Sequence, residues 1–151
     1  MLEVREDTPL QQPALHQFVK FCIVGAVSFA IDFGISFVLV FYAGVGLILA
    51  KTISFTLAVT NGFYWNRRWT FQAVGRRRQR DQYAMFFAVN IIGWILNVGI
   101  VNGIVEVAAD PSASKLKREI VFLAATLVAT AVVVFWNFFA NKHWTFKHPN
   151  P

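Results

Sequence analysis

Charge is scarce in this chain: Asp, Glu, Lys and Arg make up only 15% of it, while hydrophobic residues reach 56%. Soluble domains carry about 25% charged residues, so an ordinary water-soluble globule is excluded and a membrane protein is indicated. The single cysteine, Cys22, cannot form an intramolecular disulfide, and its apolar neighbours favour a buried structural thiol. The only histidines, His16, His143 and His148, lie near the chain ends without metal-ligand spacing. Neither a metal nor another cofactor is expected. There is no glycine-rich phosphate loop, no nucleophile elbow and no obvious carboxylate pair, which argues against an enzyme acting alone.

What the chain does have is apolar length. A spanning helix needs about 20 mostly apolar residues, and nearly uncharged runs occupy 21–50, 52–66, 82–105 and 120–141. The turn-like Ala43-Gly44-Val45-Gly46 divides the first two. The expected fold is an all-α membrane protein with transmembrane helices at about 18–42, 46–68, 82–106 and 118–141. Lys51 is then expected to snorkel from the first turns of the second helix to the outer surface. Residues 1–17 carry acidic residues and prolines, unlike a cleavable secretory signal, and read as a retained tail. The transmembrane domain covers 18–147, followed by a short tail at 148–151.

Four spans put both termini on one side, with Arg5, Lys20, Arg67, Arg68, Arg76, Arg77, Arg78, Arg80, Lys142 and Lys147. The other side holds Lys51, Lys115, Lys117 and Arg118, so the first side is expected to be cytoplasmic. This asymmetry accounts for the +6 charge without nucleic acid. The Arg76, Arg77, Arg78 and Arg80 cluster reads as a topology determinant near anionic lipid, with headgroup or partner docking as the alternative.

A heptapeptide occurs twice: Trp65-Asn66-Arg67-Arg68-Trp69-Thr70-Phe71 returns as Ala140-Asn141-Lys142-His143-Trp144-Thr145-Phe146. Gln17-Phe18-Val19-Lys20-Phe21 can also be laid on Gln82-Tyr83-Ala84-Met85-Phe86, which sets Asp32 on Asn97. Each half is then a helical hairpin, about 17–71 and about 82–146, with one shared orientation and a polar cavity between them as the natural site. A plain four-helix scaffold has the same pattern. The motif itself has two readings. It is an aromatic belt with positive-inside residues, or a headgroup site in which Arg67 and Lys142 hold a phosphate, Asn66 and Asn141 meet a sugar, and Trp69 and Trp144 stack on it.

Asp32 lies mid-helix, where a charge costs at least about 2.5 kcal/mol on insertion scales. It is either a proton-coupled carboxylate or the partner of a cation such as Lys20 or Arg67, or else a packing device. Lys20 stands about 18 Å away along a helix, which favours a partner from another helix or subunit. Asn61, Asn90, Asn97 and Asn137 give the other helices polar faces, serving either as interhelical glue or as ligand contacts.

These residues resemble a known family. Lys20-Phe21-Cys22-Ile23-Val24-Gly25 opens the first helix; Asn61-Gly62-Phe63-Tyr64-Trp65-Asn66-Arg67-Arg68-Trp69-Thr70-Phe71 and Asn137-Phe138-Phe139-Ala140-Asn141-Lys142-His143-Trp144-Thr145-Phe146 close the second and fourth. They are similar to the GtrA-like family of small four-helix membrane proteins, over about residues 17–147. The resemblance implies a role in cell-surface polysaccharide or glycolipid synthesis, in which a polyprenyl-phosphate-linked sugar moves from the cytoplasmic to the outer leaflet of the plasma membrane. It puts the phosphate and headgroup on Arg67, Lys142, Asn66, Asn141, Trp69, Trp144 and Lys20. On the translocation reading Asp32, Asn61, Asn90, Asn97 and Asn137 are expected to line a polar path, although motif matching leaves Asp32 unassigned. The match is uneven, because Lys142 replaces Arg67 and the Asn61-Gly62 pair aligns with Trp136-Asn137.

Two alternatives stand beside translocation: an accessory anchor for a membrane glycosyltransferase, and a small proton-coupled multidrug or ion exchanger using Asp32. The partners expected are the lipid-linked sugar, membrane lipids and a second copy, because the Ala26, Ala30 and Gly34 stripe suits self-packing into a homodimer or higher oligomer.

Overall fold

A computed structural model describes residues 13–75, 77–108, 112 and 114–147. Most of the two expected tails, 1–12 and 148–151, lies outside the described residues, as do Arg76, Asp110 and Pro111. Among the described residues all regular structure is helical: α1 spans Ala14–Phe41, α2 Leu47–Trp65, α3 Gln79–Val107 and α4 Lys115–Ala140. Each belongs to one of four helical segments long and apolar enough to cross a membrane.

The boundaries follow local chemistry. Pro13 immediately precedes α1, which therefore starts four residues earlier than expected. Gly44 takes a positive φ of 65° in the turn after α1, a conformation favouring a residue without Cβ. Ser114 caps α4, its side chain accepting a hydrogen bond from the Lys117 N–H.

Both motif copies continue their helices as a single π turn, at Asn66–Thr70 and Asn141–Thr145. The Phe71 N–H donates to the Asn66 carbonyl at 2.8 Å and the Phe146 N–H to the Asn141 carbonyl at 2.9 Å. These five-residue steps widen the helix and swing each terminal phenylalanine inward. Gln72 then adopts a positive φ of 48° and the chain leaves the helix axis.

α1 packs chiefly on α2 and α3 on α4, so the molecule is two hairpins. They meet in a buried cluster of Phe21, Phe63, Phe71, Phe86, Phe138 and Phe146 with Val59 and Ala73. Phe71 and Phe146 stack across the junction with ring centroids 5.0 Å apart. Around that stack the contacts come in matching pairs. Phe21–Phe71 lies at 6.1 Å and Phe86–Phe146 at 6.0 Å; Phe138–Phe71 lies at 5.9 Å and Phe63–Phe146 at 6.1 Å. Phe63 meets Phe86 at 5.8 Å, and Phe138 meets Phe21 at 5.7 Å. Offset and edge-to-face rings of this kind add about 0.5–1.5 kcal/mol per pair beyond burial.

Truncating Phe146 to Ala is therefore expected to lower unfolding stability in detergent or bicelles by about 3 kcal/mol or more. Phe29→Ala, on the exposed face of α1, is expected to leave stability nearly unchanged. Equal effects of the two in an unfolding titration would contradict the cluster's role.

Candidate functional site

Between the hairpins lies a partly open cavity of about 490 Å³, walled by all four helices. Most of its lining is apolar, but Ser28, Asp32, Asn66, Asn90, Thr130 and Asn137 bring polar groups to it. Asn66 is 3% exposed, and its Oδ1 has no hydrogen-bond partner in the structure. The Asn137 Oδ1 is likewise buried and unpartnered. Buried amide oxygens usually find a donor, so Asn66 and Asn137 hold unused acceptor capacity beside the cavity, each oxygen covered by its neighbours in this structure. Asn90 is partly satisfied, its Nδ2 donating to the Phe86 carbonyl at 2.8 Å.

The remaining candidates stand elsewhere. Neither Asn61 nor Asn97 lines the cavity. The Asn61 amide donates to Ser28 Oγ at 3.2 Å, linking α2 to α1. Asn141 is fully buried, and its Nδ2 donates to the Asn137 carbonyl at 2.8 Å. Trp69 lines a separate apolar groove of about 330 Å³ with Trp65, Ile23, Val24 and Val27, and Lys20 Nζ lies 5.2 Å over its ring. Trp144 packs on Trp136 at 5.5 Å, and its carbonyl accepts a hydrogen bond from Arg77 at 3.3 Å. Thus the motif divides by depth: Asn, Thr and Phe point into the protein, while the indoles remain substantially exposed.

Arg67 is held in place. Its Nε donates to Gln82 Oε1 at 2.6 Å and its Nη1 to Gln79 Oε1 at 3.4 Å, while Gln82 Nε2 donates to the Ala73 carbonyl at 3.3 Å. Gln82 is fully buried and orients the guanidinium. Sequence reasoning assigned it no role, although a Gln at the corresponding start of both hairpins was the available signal. Lys142, Arg67's counterpart, instead lies 5.7 Å over the Phe138 ring.

Asp32 pairs with neither Lys20 nor Arg67. Its Oδ2 accepts from Lys51 Nζ and its Oδ1 from Ser54 Oγ, both at 2.6 Å. The hairpin turn brings the start of α2 back alongside α1, so a lysine expected at the outer surface meets the mid-helix carboxylate. With side chains 49% and 22% exposed, the ion pair is neither fully buried nor fully solvated. The corresponding residues of the second hairpin are neutral: Asn97 for Asp32 and Thr126 for Lys51, the latter's hydroxyl donating to the Phe122 carbonyl. Cys22 is exposed at the cavity wall, not buried as its apolar neighbours suggested; Phe21 and Val24 turn into the protein, whereas Cys22 and Ile23 stay on the exposed side of the helix.

Removing one partner should cost more than removing both. Asp32→Asn is expected to destabilise the protein by about 1–2 kcal/mol, less than for a fully buried pair because Lys51 is half exposed. Adding Lys51→Thr, which copies the neutral pair of the second hairpin, should recover most of that loss. A double-mutant cycle with purely additive effects would contradict this coupling.

Residues 20–146 match the model of the GtrA/DPMS transmembrane domain. The chain is also 30% identical over 127 residues to the uncharacterized membrane protein YngA of Bacillus subtilis strain 168, covering 84% of this chain and 77% of that one. With this match running from the start of the first hairpin to the final motif phenylalanine, the protein is a multi-pass membrane protein that belongs to the GtrA/DPMS transmembrane-domain family.

Proposed function

We propose that the protein moves a polyprenyl-phosphate-linked sugar from the cytoplasmic to the outer leaflet of the plasma membrane, supplying cell-surface polysaccharide or glycolipid synthesis. The observation that carries this reading is the cavity: an apolar bundle encloses about 490 Å³ with unpartnered amide oxygens at Asn66 and Asn137. Sugar hydroxyls are the donors such oxygens need, and sheltering them offsets the cost of taking a polar headgroup through hydrocarbon. A lipid tail needs no such shelter.

In this reading both termini are cytoplasmic, and the basic residues around the motif attract the lipid phosphate. Arg67, beside Asn66 and fixed by Gln82 and Gln79, supplies a planar guanidinium for it. Lys142 provides a compact charge at the second copy. The protein performs no covalent step, and product removal or an ion gradient supplies direction. The exchanger reading is weaker, because the Asp32 carboxylate is already engaged by Lys51 and Ser54. Pairing with a second copy or a glycosyltransferase is compatible with translocation.

Purified protein in vesicles should accelerate the leaflet exchange of a fluorescent short-chain isoprenyl phosphate hexose. Arg67→Ala is expected to slow that exchange at least tenfold without unfolding the protein. Unaltered exchange with the folded wild-type protein would overturn the proposal.

A further inference from the structure

The hairpins meet along two edges, α2–α3 and α1–α4, and corresponding positions of the two halves build them differently. Along α2–α3, Arg67 bonds Gln82 at 2.6 Å, Thr60 shares a 3.0 Å hydrogen bond with Tyr83, and the rings of Phe55 and Phe87 meet edge to face at 6.0 Å. The same positions along α1–α4 are Lys142 with Gln17, Phe135 with Phe18, and Thr130 with Cys22.

Two of these exchanges remove a contact from the second edge, and the third trades a hydrogen bond for a ring stack. Lys142 Nζ lies over Phe138, while Gln17 Oε1 is buried without a partner. Phe18 and Phe135 stack at 5.3 Å but form no directional bond. Where Phe55 and Phe87 close one edge with two rings, the other has a thiol and a hydroxyl, and both Cys22 and Thr130 line the cavity and are exposed. The opposite wall is sealed by Ala58, Val59 and Phe86, exposed by only 4–6%.

We propose that the α1–α4 edge is a lateral portal, centred between Cys22 and Thr130, through which a lipid chain extends into the bilayer while its headgroup occupies the cavity. This deepens the headgroup reading above and rests on it. A chain leaving through α2–α3 would have to separate a pair of packed rings and break hydrogen bonds between the halves. A chain leaving through α1–α4 passes two small side chains. Because the chain stays in hydrocarbon throughout, only the headgroup must be sheltered from it.

The wild-type protein in phosphatidylethanolamine and phosphatidylglycerol vesicles can be photolabelled with an isoprenyl phosphate carrying a diazirine on its chain. Adducts that excess unlabelled isoprenyl phosphate competes away should fall on Cys22, Ala26, Phe29, Thr130 or Val134, at least fivefold above those on Phe55 and Phe87. Competed adducts on α2–α3, on both edges equally, or nowhere would overturn the portal. Closing it is the second arm: alkylation of Cys22 in the folded wild-type protein with N-benzylmaleimide, or the double variant Cys22→Phe, Thr130→Phe, should slow hexose-lipid exchange at least tenfold. Exchange that persists after complete alkylation overturns the portal and leaves the translocation reading intact. Competed adducts at Cys22 and Thr130 in a protein that exchanges no lipid would retain the portal as a lipid site and remove translocation.

Discussion

The stack of Phe71 on Phe146 is the contact on which the rest depends. In a bilayer, apolar side chains gain little by leaving lipid for protein, so two hairpins stay together only through close packing and directional bonds. Here the packing is a cluster of rings arranged in matching pairs around that stack. The π turns deliver the two phenylalanines, and the buried Thr70 and Thr145 belong to the same turns. Much of the repeated motif is therefore architecture, and its indoles, with Arg68 and His143, are what faces outward.

This division explains which features were readable from sequence. Apolar run lengths located all four helices to within a few residues because hydrocarbon thickness imposes them. The turn at Gly44 was legible because few residues tolerate its backbone conformation. The π turns were not, since no residue preference marks a five-residue hydrogen-bond step, and docking of the terminal ring selects it. Amide side chains were visible as a polar set, but helix rotation sets Asn61 apart from Asn66, and about two turns of rise along α3 set Asn97 apart from Asn90, on whose face it lies. Asp32 was recognisable as costly in hydrocarbon. Its partner was not, because the expected surface position of Lys51 ignored the return of α2 along α1.

The second hairpin acts as an internal control for the first. Asn97 and Thr126 stand where Asp32 and Lys51 form an ion pair, so a neutral pair suffices at that level of one hairpin. Gln17 and Lys142 remain apart where Gln82 and Arg67 are joined. Such contrasts separate what the architecture requires from what one half adds.

A last contrast concerns bulk. Ser28 on α1 faces Gly62 on α2, whereas at corresponding positions Gly93 on α3 faces Asn137 on α4; a Cβ on Gly62 would stand 3.1 Å from Ser28 Oγ, and one on Gly93 only 2.8 Å from Asn137 Oδ1. The large and small partners have traded helices. The single chain thus behaves like a heterodimer whose subunits happen to be fused. Two identical subunits would present any guest with the same groups twice, in two equivalent poses. These unlike walls remove that equivalence, so two such poses would differ in energy.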